Sequence, residues 1–128
     1  MLKLVGVETY YGKIKALHGV SLNVEEGQLV TILGANGAGK STILKTISGL
    51  VEPENGTIHF NDVRIDRKDP EKIVSMGISH VPEWRRIFPD LTVYDNLYMG
   101  GFLINDKELL SERMEEAYIH FPILRNRK

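Results

Sequence analysis

One run of residues has types and spacing suited to chemistry. Gly34-Ala35-Asn36-Gly37-Ala38-Gly39-Lys40-Ser41, followed by Thr42, fits G-x-x-x-x-G-K-[ST] at every fixed position. Its glycines and alanines keep side chains out of the loop, and glycine permits the positive-φ conformations that turn successive N–H groups inward. Those N–H groups, with the N-terminus of the following helix, attract an anion. Lys40 supplies a point charge for β- and γ-phosphates, and Ser41 offers a hydroxyl to Mg²⁺. The implied ligand is a purine nucleoside triphosphate with magnesium. A glycine-rich turn serving only tight packing is the alternative, and the flanking elements argue against it.

Such a loop is expected between a buried strand and a helix. Gln28-Leu29-Val30-Thr31-Ile32-Leu33 is a compact, β-prone run and predicts that strand. Lys40 to Ser48 predicts the helix, with an apolar stripe at Ile43, Leu44 and Ile47 and Gly49 near its C-terminus. Upstream, residues 2–9 and 18–24 read as strands, with Tyr10-Tyr11-Gly12-Lys13 and Glu25-Glu26-Gly27 as turns. Downstream, Glu52 to Gly56 reads as a loop with an Asn-Gly turn, and Thr57 to Phe60 as a short strand. Asp69 and Pro70 suit the N-cap and first turn of a helix reaching about Met76. Ile78 to Val81 predicts another strand, and residues 82–91 an irregular loop. Thr92-Val93-Tyr94-Asp95 suits a capping box, with Tyr94, Leu97, Tyr98 and Leu103 as a core face. A last amphipathic helix runs from about Asp106 to His120, with Leu110, Met114, Ala117, Tyr118 and Phe121 on one face. The order predicts an α/β fold with an antiparallel β portion at its start.

Composition narrows the function classes. The chain has 128 residues, 42% hydrophobic and 26% charged, with a net charge of −1. That is the length of one domain and the balance of a soluble globular protein, and it does not suit bulk electrostatic binding of nucleic acid. Cysteine is absent, which excludes disulfide scaffolds and thiol catalysis. No apolar run approaches the roughly 18 residues that span a bilayer. His18, His59, His80 and His120 are scattered without metal-ligand spacing. The loop alone leaves ATPase, GTPase and kinase open, although no Asn-Lys-x-Asp element for guanine is present.

Several strings around the loop carry a resemblance. Tyr11-Gly12, Ala16-Leu17-His18-Gly19-Val20-Ser21-Leu22, Glu26-Gly27-Gln28, Ser48-Gly49-Leu50 and Pro53-Glu54-Asn55-Gly56-Thr57-Ile58 stand in order about Gly34 to Thr42. Together they resemble the N-terminal half of the ATP-binding subunit of ABC transporters. Val81-Pro82-Glu83-Trp84-Arg85-Arg86-Ile87-Phe88-Pro89-Asp90-Leu91-Thr92-Val93, with Asn96-Leu97, is similar to the ATPases of high-affinity branched-chain amino-acid importers. The resemblance implies a P-loop NTPase fold of the ABC ATPase type, present here as its antiparallel β portion and the start of its parallel core and helical subdomain. It implies a nucleotide-binding core over about residues 1–91 and the start of the helical subdomain over about 92–128, as parts of one ATPase domain. ATP and Mg²⁺ are the implied cofactors. The implied partners are a second ATPase subunit, identical or a paralogue, transmembrane permease subunits and, indirectly, a solute-binding protein. The implied location is the cytoplasmic face of the cell membrane.

The resemblance also assigns residues. Tyr11 would stack on adenine, although the residues alone make Tyr10 or Tyr11 a turn or core aromatic. Glu83 falls where most members carry a glutamine that contacts Mg²⁺ or the attacking water and senses the membrane subunit. With Ser41 it forms the candidate metal pair, and the alternative is a loop carboxylate paired with Arg85 or Arg86. Trp84 stands where a small residue is expected, as either a contact for the transmembrane partner or a side chain packed under the loop.

The family's Leu-Ser-Gly-Gly signature, its strand ending in Asp-Glu and its switch histidine have no counterpart among the residues given, and Leu110-Ser111-Glu112-Arg113 lacks the glycines of the signature. The expectation is therefore the N-terminal part of an ATPase, with no catalytic residue assigned beyond the candidate Glu83 and no hydrolysis by this part alone. The strand from Gln28 to Leu33 would then lack neighbours and invite aggregation. A non-hydrolysing nucleotide-binding fragment and a P-loop small-molecule kinase are the rival readings.

Overall fold

The computed structural model describes residues 1–128 apart from Asn36, Ala38 and Arg85. The chain divides into two compact units, Met1–His80 and Val81–Lys128.

The first unit is built on an antiparallel sheet. Strand β1 is Leu2–Tyr11, β2 is Ile14–Val24, β3 is Asn55–Phe60 and β4 is Val63–Arg64, in the order β2-β1-β3-β4. A tight turn at Gly12 joins β1 to β2, so Tyr11 faces Ile14 and the ladder runs back to Leu2 opposite Val24. Both ladders of β1 break their register after its first residues: between Leu4 and Val7 against β2, and between Val5 and Glu8 against β3. That break changes which side chains face inward. Leu4 is buried before it, and Val7 and Thr9 after it, so the inward set switches from even to odd numbers. Gly6 lies in the break with φ 58° and its N–H donates to Ser21 Oγ at 2.9 Å.

Asn55-Gly56 opens β3 and is no hairpin turn, contrary to the sequence expectation. Gly56, at φ 89°, crosses β1 so closely that a Cβ would lie 2.5 Å from the Gly6 carbonyl oxygen. The glycine serves close approach of two backbones.

Helix α1, Lys40–Ile47, covers the inner face of this sheet, followed by α2, Pro70–Ser75. The core joins Leu4, Val7, Leu17, Ile58 and Phe60 of the sheet to Ile43 and Ile47 of α1, with Ile65 and Ile73 beside them. Leu44 is half exposed, so the predicted stripe is corrected: Thr42 and Thr46 take the inward positions beside Ile43 and Ile47.

Two predicted strands do not form ladders among the described residues. Gln28 to Leu33 and Ile78 to Val81 lie outside the sheet, although Ile32 and Ile78 pack on the core. A β-prone segment becomes a strand only by sharing hydrogen bonds with a neighbour, and neither finds one. Leu29 is 93% and Leu33 88% exposed as a result.

In the second unit, α3 is Val93–Gly100, α4 is Lys107–His120 and α5 is Pro122–Asn126. The capping box is present: Thr92 Oγ1 accepts from the Asp95 N–H at 3.0 Å, and the Asp95 carboxylate accepts from Thr92. Asn96 ties the preceding loop down, accepting from the Phe88 N–H at 2.9 Å and donating to the Thr92 carbonyl at 2.9 Å. Asp106 caps α4. Tyr118 is 6% exposed, and its hydroxyl is buried with no hydrogen-bond partner among the described residues. Phe121 is exposed because the chain leaves α4 there, at φ −130°, which removes it from the expected helix face. Tyr94, Tyr98 and Leu103 are about half exposed too, so their stripe is uncovered rather than core, and the two tyrosine rings stack 6.1 Å apart.

Asp66 is the buried charge of the first unit. Its carboxylate accepts from Arg64 Nε at 2.9 Å and from the Ile58 N–H at 3.2 Å, which pins β4 and the following turn to β3. Burial pushes its pKa up, but the Arg64 and Ile58 hydrogen bonds outweigh that and hold it below its ordinary value of 3.8. A carboxyl depressed on folding stabilises the fold above its unfolded pKa, and the contribution disappears as pH falls through the folded value. Asp66→Asn is expected to lower the unfolding free energy by about 1–3 kcal/mol near neutral pH, with the difference from wild type shrinking below about pH 4, as urea titrations at both pH values would show. Leu29→Lys with Leu33→Lys is expected to change stability by less than about 0.5 kcal/mol while reducing self-association in light scattering.

Candidate phosphate-binding site

The site is the turn into α1. Of the residues expected to line it, Gly34, Ala35, Gly37, Gly39, Lys40, Ser41 and Thr42 are described, while Asn36 and Ala38 lie outside the described residues. Gly37 and Gly39 have φ of 86° and 96°, the left-handed region in which side chains are strained. Gly37 has open space around it, so only its conformation demands glycine. At Gly39 a second demand is added: a Cβ would lie 2.9 Å from the Ala16 carbonyl oxygen and 3.0 Å from a Leu17 methyl. The loop thus re-enters the fold by pressing its last glycine against β2.

Gly39 is the N-cap of α1, and its carbonyl accepts from the Ile43 N–H at 3.0 Å. No acidic residue stands in the first turn, so nothing opposes the positive end of the helix dipole. Lys40, the first helical residue, reaches back and donates from Nζ to the Gly34 carbonyl. The ammonium group therefore spans the loop from its last turn to its first residue. Gly34, Ala35, Gly37 and Ser41 face solvent. A phosphate chain entering here meets a cation, a hydroxyl and a helix N-terminus at one place, which is what a triphosphate with its magnesium requires.

Tyr11 also belongs to this region, although 31 residues separate it from Thr42. Its hydroxyl lies 3.4 Å from Thr42 Oγ1, and its ring is 45% exposed. The end of β1 therefore places an exposed aromatic face beside the start of α1. Glu83 belongs to the second unit, exposed in the irregular stretch after Val81. Trp84 is 83% exposed, so it does not pack under the loop. It also holds φ 61°, a conformation that costs a bulky residue roughly 1–3 kcal/mol.

Sequence reasoning missed the threonine hydroxyls behind the loop. Thr9 Oγ1 lies 3.3 Å from Thr46 Oγ1, and Thr46 Oγ1 donates to the Thr42 carbonyl at 2.7 Å. It also missed the 3.2 Å contact between Ser48 Oγ at the end of α1 and His80 Nδ1. Both join residues more than 30 apart in sequence, and only the signal of polar residues at helix positions 42 and 46 pointed to the first. Among the described residues no group of three or more His, Asp or Glu side chains is placed to hold a metal.

Sheet, helix and glycine-rich turn together define an α/β protein with a candidate phosphate-binding loop. The ABC transporter family model matches residues 17–128, so the chain belongs to that family. It is 44% identical over 127 residues to the high-affinity branched-chain amino acid transport ATP-binding protein BraG of Pseudomonas aeruginosa, covering 99% of this chain and 54% of that protein. It is 34% identical over 116 residues to the xylose/arabinose import ATP-binding protein XylG of Sulfolobus acidocaldarius, covering 91% and 46%. A solved ATP-binding subunit of an ABC transporter superposes with a TM-score of 0.82 at 29% identity, over 99% of this chain and 52% of that one. The chain thus spans about half the length of the relatives it matches.

Trp84→Gly is expected to raise unfolding stability by roughly 0.5–1 kcal/mol, the relief of strain less the added freedom of glycine in the unfolded chain. Trp84→Ala keeps the strained φ and is expected to show no such gain. Urea unfolding followed by circular dichroism compares the two, since either substitution removes the only tryptophan.

Proposed function

We propose that this chain is a nucleotide-binding part of an ATP-driven importer. The observation that carries the reading is the Lys40 ammonium stretched across the Gly34–Gly39 turn at the open N-terminus of α1. In this reading the loop from Gly34 through Ser41, with Thr42, holds the phosphates, and the Tyr11 ring takes the base. Ser41 contributes an oxygen to Mg²⁺ at the loop, and Glu83 is the further candidate ligand on the family resemblance alone. Bound magnesium supplies charge neutralisation on the phosphates; the protein's task is to orient them and the base. Lys40 exchanges its Gly34 acceptor for phosphate oxygen, which needs only rotation of a flexible side chain. Residues 1–128 are proposed to bind nucleotide without turning it over at a useful rate, since none of them beyond the candidate Glu83 is assigned to polarise water.

Branched-chain amino acids are the proposed cargo. The support is the higher identity to the branched-chain amino acid relative, 44%, than to the sugar relative, 34%. The proposed partners are a second ATPase subunit, identical or a paralogue, and membrane permease subunits served by a solute-binding protein. The proposed place is the cytoplasmic surface of the membrane; no described helix is long and apolar enough to cross it.

Lys40→Ala tests the reading. Loss of a charge-assisted contact worth about 1.5–3 kcal/mol is expected to weaken MgATP binding roughly 10- to 100-fold in calorimetry. Chelating the magnesium is expected to weaken it as well. Equal affinity of the variant and wild type would remove the phosphate loop as the site, whereas wild type without measurable binding would end the proposal altogether.

A further inference from the structure

The core between β1 and α1 contains three buried threonines where valine would fill the same space. Thr9 is fully buried, and Thr46 and Thr42 nearly so. Their hydroxyls form a directed row. Thr46 Oγ1 spends its one proton on the Thr42 carbonyl, 2.7 Å away, because a carbonyl can only accept. Thr46 Oγ1 therefore accepts from Thr9 Oγ1 at 3.3 Å. One turn further toward the loop, Thr42 Oγ1 meets the Tyr11 hydroxyl at 3.4 Å, with the more acidic phenol as the better donor. β1 brings both ends of the row to α1: Thr9 is buried among the inward residues after the register break, and Tyr11 ends the strand with its hydroxyl at Thr42. The hydrophobic effect is non-directional, whereas paired hydroxyls favour one register of helix against sheet.

We infer that the row of Thr9, Thr46, Thr42 and the Tyr11 hydroxyl is a positioning device that fixes the aromatic base platform at a set distance from the phosphate loop. The inference rests on the reading of Tyr11 as that platform. Thr9 and Thr46 are positioning residues: they act through α1 and Tyr11 rather than by touching nucleotide. An aromatic ring that stands half in solvent loses rotamer freedom when a base stacks on it, and a ring already tethered has less to lose.

The test separates base from phosphate. MgATP and magnesium tripolyphosphate are titrated by calorimetry into the full chain as wild type, Tyr11→Phe, Tyr11→Leu and the double variant Thr9→Val/Thr46→Val, each with its thermal midpoint. Tyr11→Phe and the double variant are expected to weaken ATP about three- to tenfold, leave tripolyphosphate unchanged and keep or raise the midpoint. Tyr11→Leu is expected to weaken ATP further. If Tyr11→Leu loses ATP while Tyr11→Phe and the double variant bind as wild type does, the platform stands and the positioning row is overturned. If Tyr11→Leu leaves the ratio of ATP to tripolyphosphate affinity unchanged, the platform reading fails and the row with it. Parallel loss of both ligands, or a lowered midpoint in the double variant, would assign the row to stability alone.

Discussion

The contact on which the phosphate site depends is that of Gly39 with the β2 backbone. At this point a loop must turn into a helix while lying against the Ala16 carbonyl, with no room for a Cβ and a φ of 96°. Because the start of α1 is pressed onto β2, Ile43 and Ile47 come down on the sheet one and two turns later. At the same end Ser41 stays exposed and Lys40 partly so. The placement of the loop's last glycine and the packing of the start of α1 thus share one close approach of two backbones. A side chain at position 39 disturbs both together.

The sheet serves the site in a second way. β1 is a central strand, hydrogen-bonded to β2 on one side and β3 on the other, and at its end it delivers Tyr11 to the first turn of α1. On the opposite face Glu8 bridges all three strands, bonding Asn55 of β3 and Lys15 of β2. Those bonds, the Asn55 contact foremost, hold the Glu8 carboxyl below its usual range. Lys15 also lies over the Tyr10 ring, 5.8 Å from its centroid. The adjacent tyrosines thus stand on different faces: Tyr10 lies under Lys15, and Tyr11 reaches Thr42 of α1.

What could be read from the sequence was what local chemistry determines. The glycine spacing before Lys40, the N-cap at Asp69, the capping box at Thr92 and a last helix beginning at about Asp106 all follow from residues a few positions apart. What could not be read depends on distant partners. Gln28 to Leu33 has strand composition, but composition does not supply a neighbour to bond. The Asn55-Gly56 pair resembles a turn locally, and only the Gly6 carbonyl 50 residues earlier explains why a glycine lies inside a strand. Thr42 and Thr46 were hidden for the same reason, since their partners Tyr11 and Thr9 lie on another element. At the phosphate loop the residue types were legible, whereas the reach of Lys40 to Gly34 and the press of Gly39 on Ala16 required coordinates.

The register break at Gly6 has a consequence for how the gene tolerates change in length. It works as a phase counter: one extra residue converts an even-numbered inner face into an odd-numbered one. Deleting a single codon between Leu4 and Val7 would remove the extra residue, restore strict alternation and leave Val7, Thr9 and Tyr11 on the face of Leu4, whereas straightening the break without a deletion would carry them to the outer face, away from α1. Inserting two codons there beside Gly6 would preserve the phase and lengthen the strand, whereas deleting two would remove Val5 and Gly6, the break itself, and set Leu4 and Val7 on opposite faces. The stretch from Leu4 to Tyr11 is therefore constrained by the pairing of its extra residue with its break rather than by length alone.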